Sequence, residues 1–176
     1  MFSALWVLHL PKNAEVFAKT GKTIKYKEII AKTDGKEFLS TVAGKITEIG
    51  EDAESIAIKI KFGAEKLTGT GGGFKPVWGK LAILGKEPVF SLNYTHRGKI
   101  IFAPFVNSLL LKKAATLKVR GIIAQKMQGE IRDFNKIKIP FLIIKNLTKE
   151  SPVLKRGKRV KCLLDAKNGV LLVPKK

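Results

Sequence analysis

The 176-residue chain has a single cysteine, Cys162. An internal disulfide is therefore excluded, and no Cys/His cluster offers ligands for a structural zinc. Histidine is almost as scarce, with only His9 and His96. Acidic residues number 14 against 34 Lys or Arg, giving a formal charge of +20. Among the basic residues only Arg97, Arg120, Arg132, Arg156 and Arg159 are arginine. Lysine is a point charge without the planar fork that reads bases, so this excess suits contact with a phosphate backbone better than sequence-specific recognition. No apolar run reaches the ~18 residues that a spanning helix needs. At 45% hydrophobic the chain is too apolar for a disordered basic tail. What remains is a soluble, cytoplasmic globular protein, with one domain or two small ones.

The charge is uneven. Residues 1–110 carry 16 Lys/Arg and 10 Asp/Glu, a net of +6, while residues 111–176 carry 18 and 4, a net of +14. An excess of this size makes a field that attracts phosphates.

Phe2 to Leu10 lacks the positive start of a signal peptide and reads as a first strand with both faces apolar, hence buried. His9 is then a core or rim histidine. Short β segments follow at 14–19, 23–31, 38–42 and 45–49, broken by Thr20-Gly21, Asp34-Gly35 and Gly50-Glu51-Asp52. Over 55–62, Ile56, Ile58, Ile60 and Phe62 alternate with Ala57, Lys59 and Lys61, the pattern of a half-buried strand. The stretch Gly69–Pro76 breaks the regularity, and strands resume at 77–84, 89–94 and 99–103. After Pro104, Val106, Leu109, Leu110, Lys113 and Leu117 fall at helical spacing behind Asn107 or Ser108, which predicts a helix over 107–117. The strand at 99–103, this helix and a strand at 117–124, followed by a linker with a short helix near 129–136 and an apolar strand at 139–144, suggest a βαβ unit. Lys158–Leu164 and Val170–Val173 flank Asn168-Gly169 as a hairpin. The expected fold is α+β and predominantly β, with a β-rich domain at 1–104 and a smaller, basic α/β domain at 105–176.

The order Gly21, Ile24, Lys27, Ile29-Ile30-Ala31, then Val42-Ala43-Gly44-Lys45-Ile46, resembles the barrel-sandwich hybrid of biotinyl and lipoyl carrier domains over residues 10–62. The family has Gly where Lys27 stands here, because its tight turns need positive φ. No Met-Lys-Met or Asp-Lys attachment motif is present, and Asp34-Gly35-Lys36 reads as a turn with a solvated lysine. The resemblance implies a barrel-sandwich-hybrid-like fold without a biotinylated or lipoylated lysine. Residues 110–174 are similar to swivelling β/β/α domains through Gly121-Ile122-Ile123-Ala124, Ile139-Pro140-Phe141 and Asn168-Gly169-Val170. The phosphate-carrying His of the phosphoenolpyruvate-utilising members has no counterpart in Gln125–Glu130, so no phosphotransfer carries over.

Lys155, Arg156, Lys158, Arg159 and Lys161 form the densest cationic cluster, and Lys112, Lys113, Lys118 and Arg120 are candidates to join it on one surface. Lysines on a solvated edge strand are the plainer account. Cys162 sits among these cations without a His or a second Cys and reads as a structural thiol. The Gly71-Gly72-Gly73-Phe74-Lys75 stretch invites a phosphate-loop reading, but it lacks Gly-Lys-[Ser/Thr] and a following helix. A flexible hairpin or interdomain loop is the plainer account, and such a loop could still touch RNA through Phe74, Lys75, Trp78 and Lys80. His96, Tyr94 and Arg97 read as a turn, and Glu51, Asp52 and Glu54 as a hairpin tip. No catalytic motif, metal site or cofactor is expected. The leading expectation is a non-enzymatic module that docks onto RNA or a ribonucleoprotein. The alternatives are an accessory subunit of a protein complex and, more weakly, an enzyme using the Gly69–Gly73 loop.

Overall fold

The computed structural model describes residues 2–73, 75–129, 137–147, 151–155 and 160–175. The fold is α+β and predominantly β. The chain forms two compact units, Met1–Glu65 with Pro174–Lys176, and Lys66–Val173. The sequence places its boundary near residue 104, whereas the division falls between Glu65 and Lys66. The reason lies in the pairing, because the strands between 70 and 106 bond to strands that follow them.

The first unit contains β1 (Phe2–Pro11), β2 (Glu15–Val16), β3 (Thr23–Ile24), β4 (Ile29–Thr33), β5 (Lys36–Leu39), β6 (Gly44–Glu51) and the start of β7 (Ser55–Thr68). β7 runs antiparallel to β1, with Trp6 opposite Ile60, and to β6, with Ile46 opposite Ile60. Ile56, Ile58, Ile60 and Phe62 are buried as their alternation predicts. Fully burying such a side chain is worth about 2 kcal/mol, so this stripe is a main source of stability. In β1 the expectation of two buried faces is not met. Ala4, Trp6 and Leu10 are buried, but Leu5 is 51% and Val7 36% exposed. His9 shares their face and is exposed, so it is no core histidine. Near the C-terminus, the Lys175 N–H donates to the Gly63 carbonyl at 3.0 Å.

The expected single strand at 23–31 is split into β3 and β4 by a turn at Lys27. Gly21 has φ +86°, and Lys27 itself has φ +65°. Its N–H donates to the Ser40 carbonyl at 2.8 Å, and the Ser40 N–H donates to the Glu28 carbonyl at 2.8 Å. These bonds hold a lysine in a conformation that costs an L-residue roughly 1–2 kcal/mol. Lys27→Gly is therefore expected to stabilise the protein by about 1 kcal/mol, after the entropic cost of glycine is counted. Thermal unfolding should show a higher Tm; a lower one would mean that the lysine side chain, which lies 5.8 Å from the Tyr26 ring centre, matters more than the turn.

The second unit contains β8 (Thr70–Gly72), β9 (Val77–Ile83), α1 (Pro88–Ser91), a 3-10 turn (Tyr94–His96), β10 (Ile100–Val106), α2 (Ser108–Thr116), β11 (Gly121–Met127), β12 (Phe141–Ile143), α3 (Pro152–Lys155), β13 (Lys161–Asp165) and β14 (Val170–Pro174). β9, β10, β11 and β12 pair in parallel in that order. β10–α2–β11 is a parallel crossover, as the sequence suggests. The Asn107 side chain accepts the Leu110 N–H at 2.8 Å and caps α2. The expected strand at 89–94 is instead α1 and the 3-10 turn. Pro88 occupies the first helical turn, where its missing N–H costs nothing. The predicted helix near 129–136 falls at 130–136 outside the described residues.

Alternate residues of the parallel strands face two different cores. Ile101, Ala103, Ile122, Ala124 and Phe141 pack with Leu92, Leu110, Leu111 and Ala114, on the side of α1 and α2. Ile100, Phe102, Ile123 and Leu142 pack with Val153, Leu154, Cys162, Leu164 and Leu171, on the side of α3, β13 and β14. The unit thus has a helical layer, a central parallel sheet and a β layer. β9 serves both sheets, because Val77–Lys80 pairs with β13 and Leu81–Ile83 with β10.

Candidate nucleic-acid interface

The positive charge is concentrated in the second unit. The second unit holds 22 Lys/Arg and 5 Asp/Glu, a net of +17, and the first holds 12 and 9, a net of +3. The ion pairs Lys22–Glu28, Lys32–Glu37 and Lys59–Glu48 lie in the first unit. Lys22, with Lys25 N–H beside it, holds the Glu28 carboxyl below its usual range, and backbone N–H groups of Glu54 and Ser55 do the same for Asp52.

The helical layer of the second unit is built from 84–99 and 106–120. Between 86 and 120 it carries Lys86, Arg97, Lys99, Lys112, Lys113, Lys118 and Arg120 against one acid, Glu87. Hydrogen bonds tie its parts together. The Lys113 ammonium donates to the Val89 carbonyl at 2.6 Å and joins α2 to α1. The Gly98 N–H donates to the Lys118 carbonyl at 3.0 Å, and the Arg120 N–H to the Lys99 carbonyl at 2.9 Å. Asn93 caps the 3-10 turn through Thr95 N–H at 3.0 Å, while its own N–H meets His96 Nδ1 at 3.3 Å. His96 is thus part of a turn. Among the described residues, none of Lys86, Arg97, Lys99, Lys112 and Lys118 has a carboxylate partner.

The predicted cationic cluster is divided by this architecture. Lys112, Lys113 and Lys118 belong to the helical layer. Lys155 ends α3, whose Val153 and Leu154 pack on the opposite side of the parallel sheet. Arg156, Lys158 and Arg159 lie outside the described residues. Lys161 is half-buried and sits opposite Lys80 in the β9–β13 ladder. Arg120 reaches toward that ladder, its guanidinium donating to the Trp78 carbonyl at 2.6 Å. Lys113 and Arg120 therefore hold the fold as well as adding charge. Sequence reasoning does not single out Lys86 or Lys99 and places Arg97 in a turn, because 89–94 and 99–103 read as strands and the cations beside them carry no further signal.

Gly71 and Gly72 are ladder residues rather than loop residues. They pair antiparallel with Leu142 and Phe141 of β12. A Cβ on Gly69 would meet the Ile143 carbonyl oxygen, and one on Gly71 the Phe141 carbonyl oxygen. A Cβ on Gly73 would lie 2.8 Å from Pro140 Cβ. Close backbone approach accounts for Gly69 and Gly71, and side-chain packing by Pro140 and Ala166 for Gly73. Lys75 is exposed, and Phe74 lies outside the described residues.

No family model matches the chain, and no curated protein matches it. Solved structures that resemble it include a UPF0107 protein determined by solution NMR. That likeness has 14% identity and a TM-score of 0.47, over 63% of this chain and 100% of the other. Another is aconitase X of Thermococcus kodakaraensis in its holo form, at 15% identity and TM-score 0.44, over 63% of this chain and 99% of the other.

Cys162 is fully buried, 3.8 Å from the Gly79 carbonyl, and burial pushes its thiol from an ordinary 9.0 up to about 12. The neighbouring cations do not activate it. Because the folded value is raised, the stabilisation from keeping the thiol protonated is complete below about pH 9. It is lost as pH rises from 9 toward 12, by up to about 1.4 kcal/mol per pH unit. Comparison with Cys162→Ala isolates this: the stability advantage of the native chain should shrink above pH 9. A constant difference would contradict the burial. Among the described residues, no cluster of His, Cys, Asp or Glu could hold a metal ion. No helix among them is long and apolar enough to cross a membrane.

Proposed function

We propose that this protein is a non-enzymatic basic module that docks onto a polyanion, RNA or a ribonucleoprotein first, through the outer surface of its helical layer. The observation that carries this is the seven-to-one excess of cations over acids between residues 86 and 120, with none of the seven in an ion pair among the described residues. Phosphate contacts need charge held on a rigid frame, and the bonds among α1, the 3-10 turn and α2 supply the frame. The direct experiment is RNA binding by the full chain at low salt. Micromolar or tighter affinity is expected, weakening steeply with salt, and its absence removes the reading.

A barrel-sandwich-hybrid-like fold for the first unit is part of this proposal. It is supported by positive φ at Gly21 and at Lys27, where the family has glycine. Lys36 lies just past the β4–β5 turn with its ammonium 5.1 Å from the Phe38 ring centre, and we propose that it carries no cofactor. The layer order of the second unit supports a swivelling β/β/α relationship.

A second reading, an accessory subunit of a larger protein complex, is favoured by β1. This ten-residue strand pairs only with β7 among the described residues, and it contains no Lys or Arg. Edge strands commonly carry lysine to block pairing with other chains, and this one does not. Stoichiometric copurification of another protein, lost on Val7→Lys substitution, would favour this reading.

A further inference from the structure

We infer that the polyanion is single-stranded RNA, with its bases stacked on Phe90 and Tyr94. This deepens the proposed polyanion reading and rests on it. Phe90 is 82% and Tyr94 84% exposed. Isolated exposed apolar residues are ordinary on a protein surface. These two differ because of what lies between and around them. Leu92, midway between them, is buried in the core beneath the helical layer. The Leu92 N–H donates to the Pro88 carbonyl at 3.1 Å, and Asn93 caps the turn that begins at Tyr94. Both rings are therefore displayed outward from a segment that is anchored at its centre.

The surroundings match one class of partner. Lys86 and Arg97 flank the aromatic pair in sequence, and α2, joined to α1 through Lys113, adds Lys112. Aromatic faces interleaved with unpaired cations are what a single strand requires, since its phosphates need charge and its unstacked bases need a ring. A duplex keeps its bases stacked on one another and gains nothing from these rings. An acidic protein surface would use the same cations but has no need of a π-face. Leu109, 60% exposed on α2, extends the apolar part of the surface.

The test uses the full-length protein, a short single-stranded RNA and the same strand in a duplex. Phe90→Ala with Tyr94→Ala should weaken single-strand binding by roughly 5- to 150-fold for each base that stacks. Duplex affinity and the salt dependence of both should stay as in the native protein. Phe90→Leu with Tyr94→Leu keeps apolar bulk without the rings and should lose affinity to a similar degree. Equal single-strand affinity in all three proteins overturns the stacking inference alone. So does retention of affinity by the leucine variant when the alanine variant loses it, which would indicate apolar contact of the kind a protein partner makes. Failure of the native protein to bind either RNA overturns the polyanion reading itself.

Discussion

Replacing Gly71 by valine is expected to destabilise the protein by about 3 kcal/mol, a fall in Tm of roughly 6–12 °C for a chain of this size. The obstacle is space. Gly71 does not have positive φ, so its backbone would accept any residue. Its Cβ position is nevertheless occupied by the Phe141 carbonyl oxygen, with the Leu142 Cα at 3.0 Å. Those atoms belong to β12, whose pairing with β8 and β11 leaves the backbone little freedom to retreat. Gly71→Val must either push β8 off the sheet edge or distort β12, and Leu142 of β12 is fully buried. Lys75→Ala, at an exposed position close by, should leave Tm unchanged. Thermal unfolding of both variants checks this. Native stability in Gly71→Val, accompanied by loss of anion binding, would contradict it and restore the phosphate-loop reading of the Gly69–Gly73 segment.

That segment shows where sequence reasoning reached its limit. Glycine is ambiguous in sequence because it serves three needs: positive φ, close approach and flexibility. Gly21 and the turn at Asp34-Gly35 were legible because turn chemistry is local. Gly69 and Gly71 were not, since their reason is a carbonyl some seventy residues further on. The same holds for 89–94. Val89-Phe90-Ser91-Leu92 has a strand-like alternation, and the helix there is settled by Pro88 together with burial of Leu92 against β10 and α2. In contrast, Ile56, Ile58, Ile60 and Phe62 gave their strand correctly, because one buried face imposes a period of two. The α2 helix was equally legible, through Asn107 and helical spacing, although its buried stripe is Leu110, Leu111 and Ala114 rather than the expected Val106, Leu109, Leu110, Lys113 and Leu117, and Leu109 is 60% exposed. Charge alone singled out Lys112, Lys113, Lys118 and Arg120 of the helical layer. Its division from Lys155 was not visible, because which face of a central sheet an element covers depends on the crossover.

The second large effect concerns that surface. Substituting Lys86, Arg97, Lys112 and Lys118 together by glutamine is expected to remove about four phosphate contacts. With a slope of about −0.7 per contact on a single strand, four contacts correspond to a roughly 50-fold change in affinity between about 50 and 200 mM salt. The variant should therefore bind RNA at least tenfold more weakly than the native protein at the low end of that range, and the gap should close as salt rises. Lys113 and Arg120 are kept in this design. Each donates to a main-chain carbonyl, so their removal would mix a loss of charge with a loss of structure. All four substituted side chains belong to exposed residues, so thermal unfolding should differ by no more than about 1 kcal/mol from the native chain. Should the variant fold normally and bind as tightly as before, the charge of the helical layer is compositional and the accessory-subunit reading gains.

The most direct measurement is a salt titration of RNA affinity with the native and four-glutamine proteins side by side, plotted as log affinity against log salt. The native slope is expected near −3 or steeper on a single strand, and the slope of the variant about three shallower. A flat native line, or identical slopes in the two proteins, would contradict the claim that the 86–120 layer is where this protein meets a polyanion.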